Sequence, residues 1–270
     1  MRRAPFLHAL ALVATILCLG AGAAAAQTLY GVETNFAAPL WRSSAANGTG
    51  VATLALAAGT LPEGLAFDES HRKVYWVEAA FAGARIRRAN PDGSGLETVL
   101  GGGSAFRGIA LDEDGGKIYW TSSNLVEGAR IRRANLDGSN VELLVDLGTT
   151  GANPRGIALD LVARRMYWAD LGQGGAVRRA NLDGTAPELV AAFATPYGVA
   201  VDPAAGFLYW TNYGQGNLAR MAIAGGPTTT LKVGLQNPTY LALDRAGGIV
   251  YWIEAGASGQ KLRRSTLVVG

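Results

Sequence analysis

The sequence predicts an all-β protein, a β-propeller of four-stranded antiparallel blades, six in the first reading and five in the alternative. Three observations carry that expectation. A Tyr-Trp pair recurs at Tyr75-Trp76, Tyr119-Trp120, Tyr167-Trp168, Tyr209-Trp210 and Tyr251-Trp252, with a weaker copy at Tyr30-Gly31. The tyrosines are spaced by 45, 44, 48, 42 and 42 residues, and a period of that size with several short strands per unit is that of a propeller blade. Between the pairs, apolar and β-branched residues alternate in short runs separated by Asp, Asn and Gly turns, the pattern of half-buried strands.

The N-terminal segment reads differently. Met1-Arg2-Arg3 is followed by an apolar stretch over 6–19 and by small residues ending in four alanines at 23–26. That order is the order of an export signal, and the apolar stretch falls short of the roughly 20 residues needed to span a bilayer. Residues 1–26 are therefore expected to be a signal peptide and 27–270 a single propeller domain, secreted or periplasmic. Removing the signal lowers Lys+Arg from 24 to 22 against 21 acids, a net charge of about +1. Cys18 and His8 leave with it, so His71 is the only histidine and no cysteine remains. Disulfide scaffolds, cysteine nucleophiles and Cys/His metal sites are closed off, and the charge is too small for a nucleic-acid footprint.

Each unit divides into four strands. The first ends in an aspartate: GLAFD at Asp68, GIALD at Asp112 and Asp160, GVAVD at Asp202 and YLALD at Asp244. Aspartate at a strand end bonds local amides, so these are turn braces. The second strand carries the Tyr-Trp pair. The third reads RIRRANPDG ending at Gly93, RIRRANLDG at Gly138 and AVRRANLDG at Gly184, with degenerate copies at 218–226 and 261–266. A short apolar strand such as 141–145 completes the unit. One such sheet cannot bury both faces, so blades must pack radially with the Tyr-Trp rings between them. At the seam, the N-terminus supplies strands two to four of a first blade and the C-terminus strands one to three of a last. In the five-blade alternative, 51–56 pairs beside 261–266.

From about Leu29 to the C-terminus these units resemble low-density-lipoprotein-receptor class B, or YWTD, repeats. The nearest copies are Tyr167-Trp168-Ala169-Asp170, Tyr209-Trp210-Thr211-Asn212 and Tyr119-Trp120-Thr121-Ser122, and the final acid is kept as Glu33, Glu78, Asp170 and Glu254. The resemblance implies a six-bladed propeller that binds a protein ligand on one face. Twenty arginines against four lysines, with abundant Ala and Gly, suggest a bacterial secreted member.

Alternate residues of a strand face opposite sides, so the arginine runs of the third strand are expected to split between structural pairs and solvated charges. The Asn-x-Asp-Gly turns at Asn90, Asn135 and Asn181 echo calcium loops but lack the third acid and the distal glutamate. Specificity is expected where repeats differ, at the channel mouth and in the loops on its face. The expected ligand-binding set is Glu63, Phe106, Arg107, Arg155, Tyr197, Tyr213 and Thr239; Arg, Tyr and Phe are anchor residues of interaction surfaces. No catalytic or metal-binding residue and no cofactor is expected, with calcium at the turns as the alternative. The function expected is that of a non-catalytic, monomeric recognition scaffold for a protein, peptide or glycan, with no nucleic acid and no membrane span. The alternative is a metal-dependent propeller hydrolase or lactonase with its site at the channel mouth.

Overall fold

A computed structural model describes residues 13–20, 28–34, 40–44, 52–54, 61–79, 83–103, 105–124, 127–172, 174–256 and 259–267. Among these the regular elements are strands, paired antiparallel in sequence order within each sheet. The first sheet holds β1 (Val13–Gly20), β2 (Thr28–Thr34), β3 (Leu40–Ser44) and β4 (Ala52–Leu54). The second holds β5 (Leu61–Asp68), β6 (Lys73–Ala79), β7 (Ala84–Ala89) and β8 (Glu97–Gly103). The third is β9 (Phe106–Asp112), β10 (Lys117–Asn124), β11 (Gly128–Asn135) and β12 (Glu142–Asp146). The fourth is β13 (Pro154–Asp160), β14 (Arg165–Asp170), β15 (Ala176–Asn181) and β16 (Glu188–Ala192). The fifth is β17 (Pro196–Asp202), β18 (Phe207–Asn212), β19 (Asn217–Ala222) and β20 (Thr229–Lys232). The last has three strands, β21 (Pro238–Asp244), β22 (Ile249–Gly256) and β23 (Gly259–Thr266).

The chain is thus an all-β propeller of antiparallel blades. Five are complete four-stranded blades, the number in the alternative reading, and a sixth sheet is three strands wide. Their first strands neighbour one another around an axis, β5 beside β9, then β13, β17 and β21, with β1 between β21 and β5. The pairing proposed for a five-blade ring does not form, because β4 lies on β3 and not beside β23. Val13–Gly20, within the segment read as an export signal, pairs with β2 as the inner strand of the first sheet. The rest of that segment and its cleavage point lie outside the described residues.

The Tyr-Trp pair works as a two-sided key. Adjacent residues in a strand face opposite ways, so each blade sends its tyrosine to one neighbour and its tryptophan to the other. Tyr75 shares a core with Trp120, Tyr119 with Trp168, Tyr167 with Trp210 and Tyr209 with Trp252. Tyr30, in the weak first copy, packs with Trp76 and stacks on Phe67 at 5.2 Å. Each ring buries on the order of 150–250 Å², which accounts for a core distributed between blades rather than gathered at one centre.

The arginine ladder is the polar counterpart. Arg88 donates to Tyr75 Oη at 3.1 Å and to the Leu136 carbonyl of the next blade at 3.2 Å. Arg133 reaches the Leu182 carbonyl at 3.0 Å, Arg179 that of Ile223 at 3.3 Å and Arg220 that of Leu267 at 3.3 Å. The preceding arginine of each run takes the opposite face. Arg87 pairs with Glu78 at 3.6 Å, Arg178 with Asp170 at 3.3 Å and Arg263 with Glu254 at 3.5 Å. Where serine replaces the acid, Arg132 donates to Ser122 Oγ at 2.9 Å.

The turn aspartates act as braces: Asp68, Asp112, Asp160, Asp202 and Asp244 each accept the amide three residues on, at 2.7–3.1 Å. His71 is an exposed turn residue whose Nδ1 lies 2.9 Å from Asp68. In the Asn-x-Asp-Gly turns, Asp92, Asp137 and Asp183 each accept both the amide and the hydroxyl of the residue two on. Those carboxylates close local turns.

Candidate recognition site at the channel mouth

Closure of the ring is what builds the site. Gly64, Gly108, Gly156 and Gly198 occupy one repeat position, where the inner strands of adjacent blades come closest. A Cβ on Gly108 would stand 2.3 Å from the Arg155 carbonyl, and one on Gly198 2.7 Å from that of Thr239. A threonine bridges the same junctions. Gly108 N donates to Thr121 Oγ1 at 2.8 Å, and that hydroxyl donates to the Arg155 carbonyl at 2.7 Å. Thr211 joins Gly198 to the Thr239 carbonyl in the same way. The residue just before each glycine, and Thr239 before Tyr240 in the fifth copy, is thereby held at the axis, which brings Glu63, Arg107, Arg155, Tyr197 and Thr239 together.

Glu63, Arg107, Arg155, Tyr197 and Thr239 belong to the first strands of their blades. They lie inside them, one or two residues from the start, at the irregularity that interrupts pairing in β5, β13, β17 and β21. The break in register turns these side chains toward the axis.

Glu63 sits between two guanidinium groups. It pairs with Arg107 Nη1, and its second oxygen is 4.0 Å from Arg155 Nη1. The Arg155 guanidinium lies 5.2 Å over the Tyr197 ring. Tyr197 meets Tyr240 edge-on at 5.2 Å and Tyr213 in an offset stack at 5.7 Å. One carboxylate against two guanidiniums leaves one positive charge uncompensated. Burial is the largest single influence on the Arg107 pKa and lowers it, but the charge and hydrogen bond of Glu63, together with Tyr240 and Tyr197, more than offset it and hold the group above its ordinary value. Burial raises the Tyr197 phenol, and raises that of Tyr240 well above 10. Both are neutral hydrogen-bonding hydroxyls at physiological pH.

Several polar atoms at this mouth are buried without a hydrogen-bond partner among the described residues: Glu63 Oε2, Arg107 Nε, Arg155 Nε, Thr239 Oγ1 and Tyr240 Oη. Such groups cost about 1–3 kcal/mol each when left unpaired. Beside them, Arg107 and Arg155 line a groove of about 330 Å³ with Ser123, Asn124, Thr149 and Asn153. Below them a cavity of about 250 Å³ follows the axis, walled by Leu65, Phe67, Ile109, Leu241 and Tyr240.

Six of the seven sequence-predicted residues therefore gather at or beside the mouth. Phe106 does not. It packs against Trp120 at 5.7 Å in the core between the second and third blades, because alternation turns it away from its neighbour Arg107. Of the loop residues on this face, Phe81 and Gln173 lie outside the described residues. Tyr240 was missed, although its signal was present: YLALD is the copy in which an aromatic ring stands where the others have glycine.

Glu63 is already flanked by two positive charges, and no group of three His, Cys, Asp or Glu able to hold a metal occurs among the described residues. No described helix is long and apolar enough to cross a membrane.

Comparisons with known proteins bear on the fold. Residues 116–161 match the family model for low-density lipoprotein receptor repeat class B. No curated protein matches the chain. Among solved structures, the chain resembles one from a nidogen/laminin complex, with a TM-score of 0.69 and 24% identity over 94% of this chain and 93% of that one. It also resembles a gluconolactonase from Xanthomonas campestris, with a TM-score of 0.71 and 17% identity over 92% and 84% of the two chains. A PQQ-bound aldose sugar dehydrogenase from Streptomyces coelicolor gives 0.69 at 15% identity over 94% and 98%. At these identities the likeness is one of fold, which hosts both binding modules and enzymes. The chain carries a low-density lipoprotein receptor class B repeat, and the blades built on that repeat's pattern form a β-propeller.

Proposed function

We propose that this protein is an exported, monomeric, non-catalytic recognition scaffold that binds a protein, peptide or glycan at the channel mouth. The observation that carries the reading is the convergence of buried, unpaired polar atoms on Glu63, Arg107, Arg155, Thr239 and Tyr240. A ligand group that accepts from the two arginines and donates to Glu63 would satisfy three of them, at a site walled by the inner strands, and further polar groups of the ligand would meet the hydroxyls of Thr239 and Tyr240. Tyr197 and Tyr213 supply an aromatic wall beside the charges, as binding hot spots do. The similar nidogen structure is that of a complex with laminin, which is consistent with ligand binding by this fold.

The test is a screen of the purified protein against peptide and glycan arrays, repeated with Arg107→Ala/Arg155→Ala and with Tyr240→Phe. Ligands of the parent should be lost by the double variant, with melting and far-UV circular dichroism showing it folded. Ligands bound equally well by both variants would place recognition elsewhere. Turnover of lactones or esters that survives in both variants would favour the enzymatic alternative.

A further inference from the structure

Of the two guanidiniums at the channel mouth, one has its acceptor and the other has none. Arg107 donates to Glu63, and the similarly covered Arg132, Arg133 and Arg179 each donate to a serine hydroxyl or a carboxylate. The Arg155 side chain is only 16% exposed, and its Nε is buried without a partner. Among the described residues its guanidinium is approached by the Tyr197 ring at 5.2 Å and by Glu63 Oε2 at 4.0 Å. The second distance is beyond hydrogen-bond reach.

Glu63 does not neutralise both arginines. Its Oε1 is held by Arg107, which balances that pair and leaves the excess charge on Arg155. Glu63, Arg107 and Arg155 are also the charged groups that act on Tyr197 and Tyr240, so no second acid enters the balance there. A charged donor kept from water without an acceptor is costlier than a neutral one in the same place. An anion that matches both the charge and the N–H fork recovers the most. Glu63 Oε2, equally buried and without a hydrogen bond, calls for a donor in the same ligand.

An acidic residue in a peptide carries both parts, a carboxylate for Arg155 and a main-chain N–H for Glu63 Oε2. A sugar acid would need an open aromatic face to lie on. Tyr197 is 9% and Tyr240 7% exposed, and the Tyr197 ring already contacts Arg155, Tyr213 and Tyr240.

We infer that the channel mouth takes an acidic segment of a partner protein, and that Arg155 receives the carboxylate of one aspartate or glutamate in it. The inference rests on the mouth being the recognition site proposed above, and names the chemistry of its ligand. Arg107 keeps its bond to Glu63, so the two arginines have different tasks.

The full chain is immobilised and offered pentapeptides with blocked termini and uncharged flanking residues, the central residue fixed as Asp, Glu, Asn or Gln. Captured peptide is measured by mass spectrometry, and glucuronate-bearing oligosaccharides are offered in parallel. The Asp or Glu peptides should be captured about tenfold better than their amides. Arg155→Gln should erase that ratio. Arg72→Gln removes the same charge from an exposed turn residue and should leave the ratio intact. Arg155→Lys keeps the charge without the fork and should hold a reduced ratio of about threefold, which keeps the test open should glutamine disturb folding. An undiminished ratio in both Arg155 variants overturns the assignment to Arg155. Capture that is lost in Arg107→Ala/Arg155→Ala yet indifferent to acid or amide overturns the inference and leaves the mouth as the recognition site. Capture that the double variant keeps overturns both. No peptide captured by the parent chain, or oligosaccharides captured in preference, overturns the acidic protein segment as the ligand.

Discussion

Substituting Gly108 by alanine tests how tightly the inner strands must close. The added methyl would stand 2.3 Å from the Arg155 carbonyl oxygen and 3.1 Å from both Gly156 Cα and Ile157 N. All three are backbone atoms of the next blade, so no side chain can swing aside. Opening 2.3 Å to the 3.0 Å that real contacts tolerate moves one inner strand by about 0.7 Å. It also lengthens the Thr121 bridge, now 2.8 Å on one side and 2.7 Å on the other. Overpacking of this kind costs about 1–3 kcal/mol. Alanine restricts the unfolded chain and returns about 0.4–1 kcal/mol. A net loss of about 1–2 kcal/mol lowers the melting temperature of a protein this size by about 2–8 °C. Gly101→Ala is the control, since its nearest atoms would be Thr98 Cγ2 at 3.9 Å and Arg85 Cγ at 4.0 Å. Thermal melts followed by circular dichroism decide the matter. If Gly108→Ala melts with the parent, or Gly101→Ala falls as far, close approach is not what requires glycine at this position.

Three further predictions concern charge and the axis. Tyr240→Phe removes a buried hydroxyl without a partner, so stability should hold or rise by up to about 1 kcal/mol; a loss above about 2 kcal/mol in denaturant titration would mean the hydroxyl is bonded within the protein. Arg133→Met should lower the melting temperature by about 2–4 °C through loss of its bonds to the Leu182 carbonyl and Glu142, whereas an unchanged melt would reduce the ladder to surface decoration. Acid stability should follow the outer-strand carboxylates. Hydrogen bonds from Arg88, Arg133 and Arg179 hold Glu97, Glu142 and Glu188 below the ordinary 4.5. A carboxyl with a lower folded than unfolded pKa takes up protons on unfolding. Its contribution is therefore complete above about pH 4.5 and is lost as the pH falls through the folded values. Melting temperature should be level from pH 7 to 5 and decline below, and the triple glutamine variant should flatten that decline; an identical acid limb in the variant would assign it to other groups.

The repeat was legible because each of its parts is required by local chemistry. Tyr-Trp must be adjacent to fill two opposite interfaces, and the strand-end aspartates need a fixed offset to reach the amide three residues on. The split of the arginines between faces followed from alternation alone. Phe106 was misplaced because a neighbour's function says nothing about a side chain on the other face. The position of Glu63, Arg107 and Arg155 relative to the strand start depended on a register break, which no residue type announces. Tyr240 was open to detection by comparing repeats column by column, since size replaces its absence at a position where backbones touch. The seam was the least readable part. Whether β1 and β4 complete the first sheet is set by pairing between segments with no repeat signature of their own.

Four glycines and one tyrosine around the axis also settle a matter of rotation. A ring of identical blades would present a partner with several equivalent settings about its axis, and a complex formed there would spin among them. With Tyr240 filling one station and Glu63 charging another, those settings become unequal. The socket is keyed. Singling out one setting in six forgoes a degeneracy worth about 1 kcal/mol at room temperature, and in exchange whatever lies on the axis projects its remaining bulk over one chosen blade.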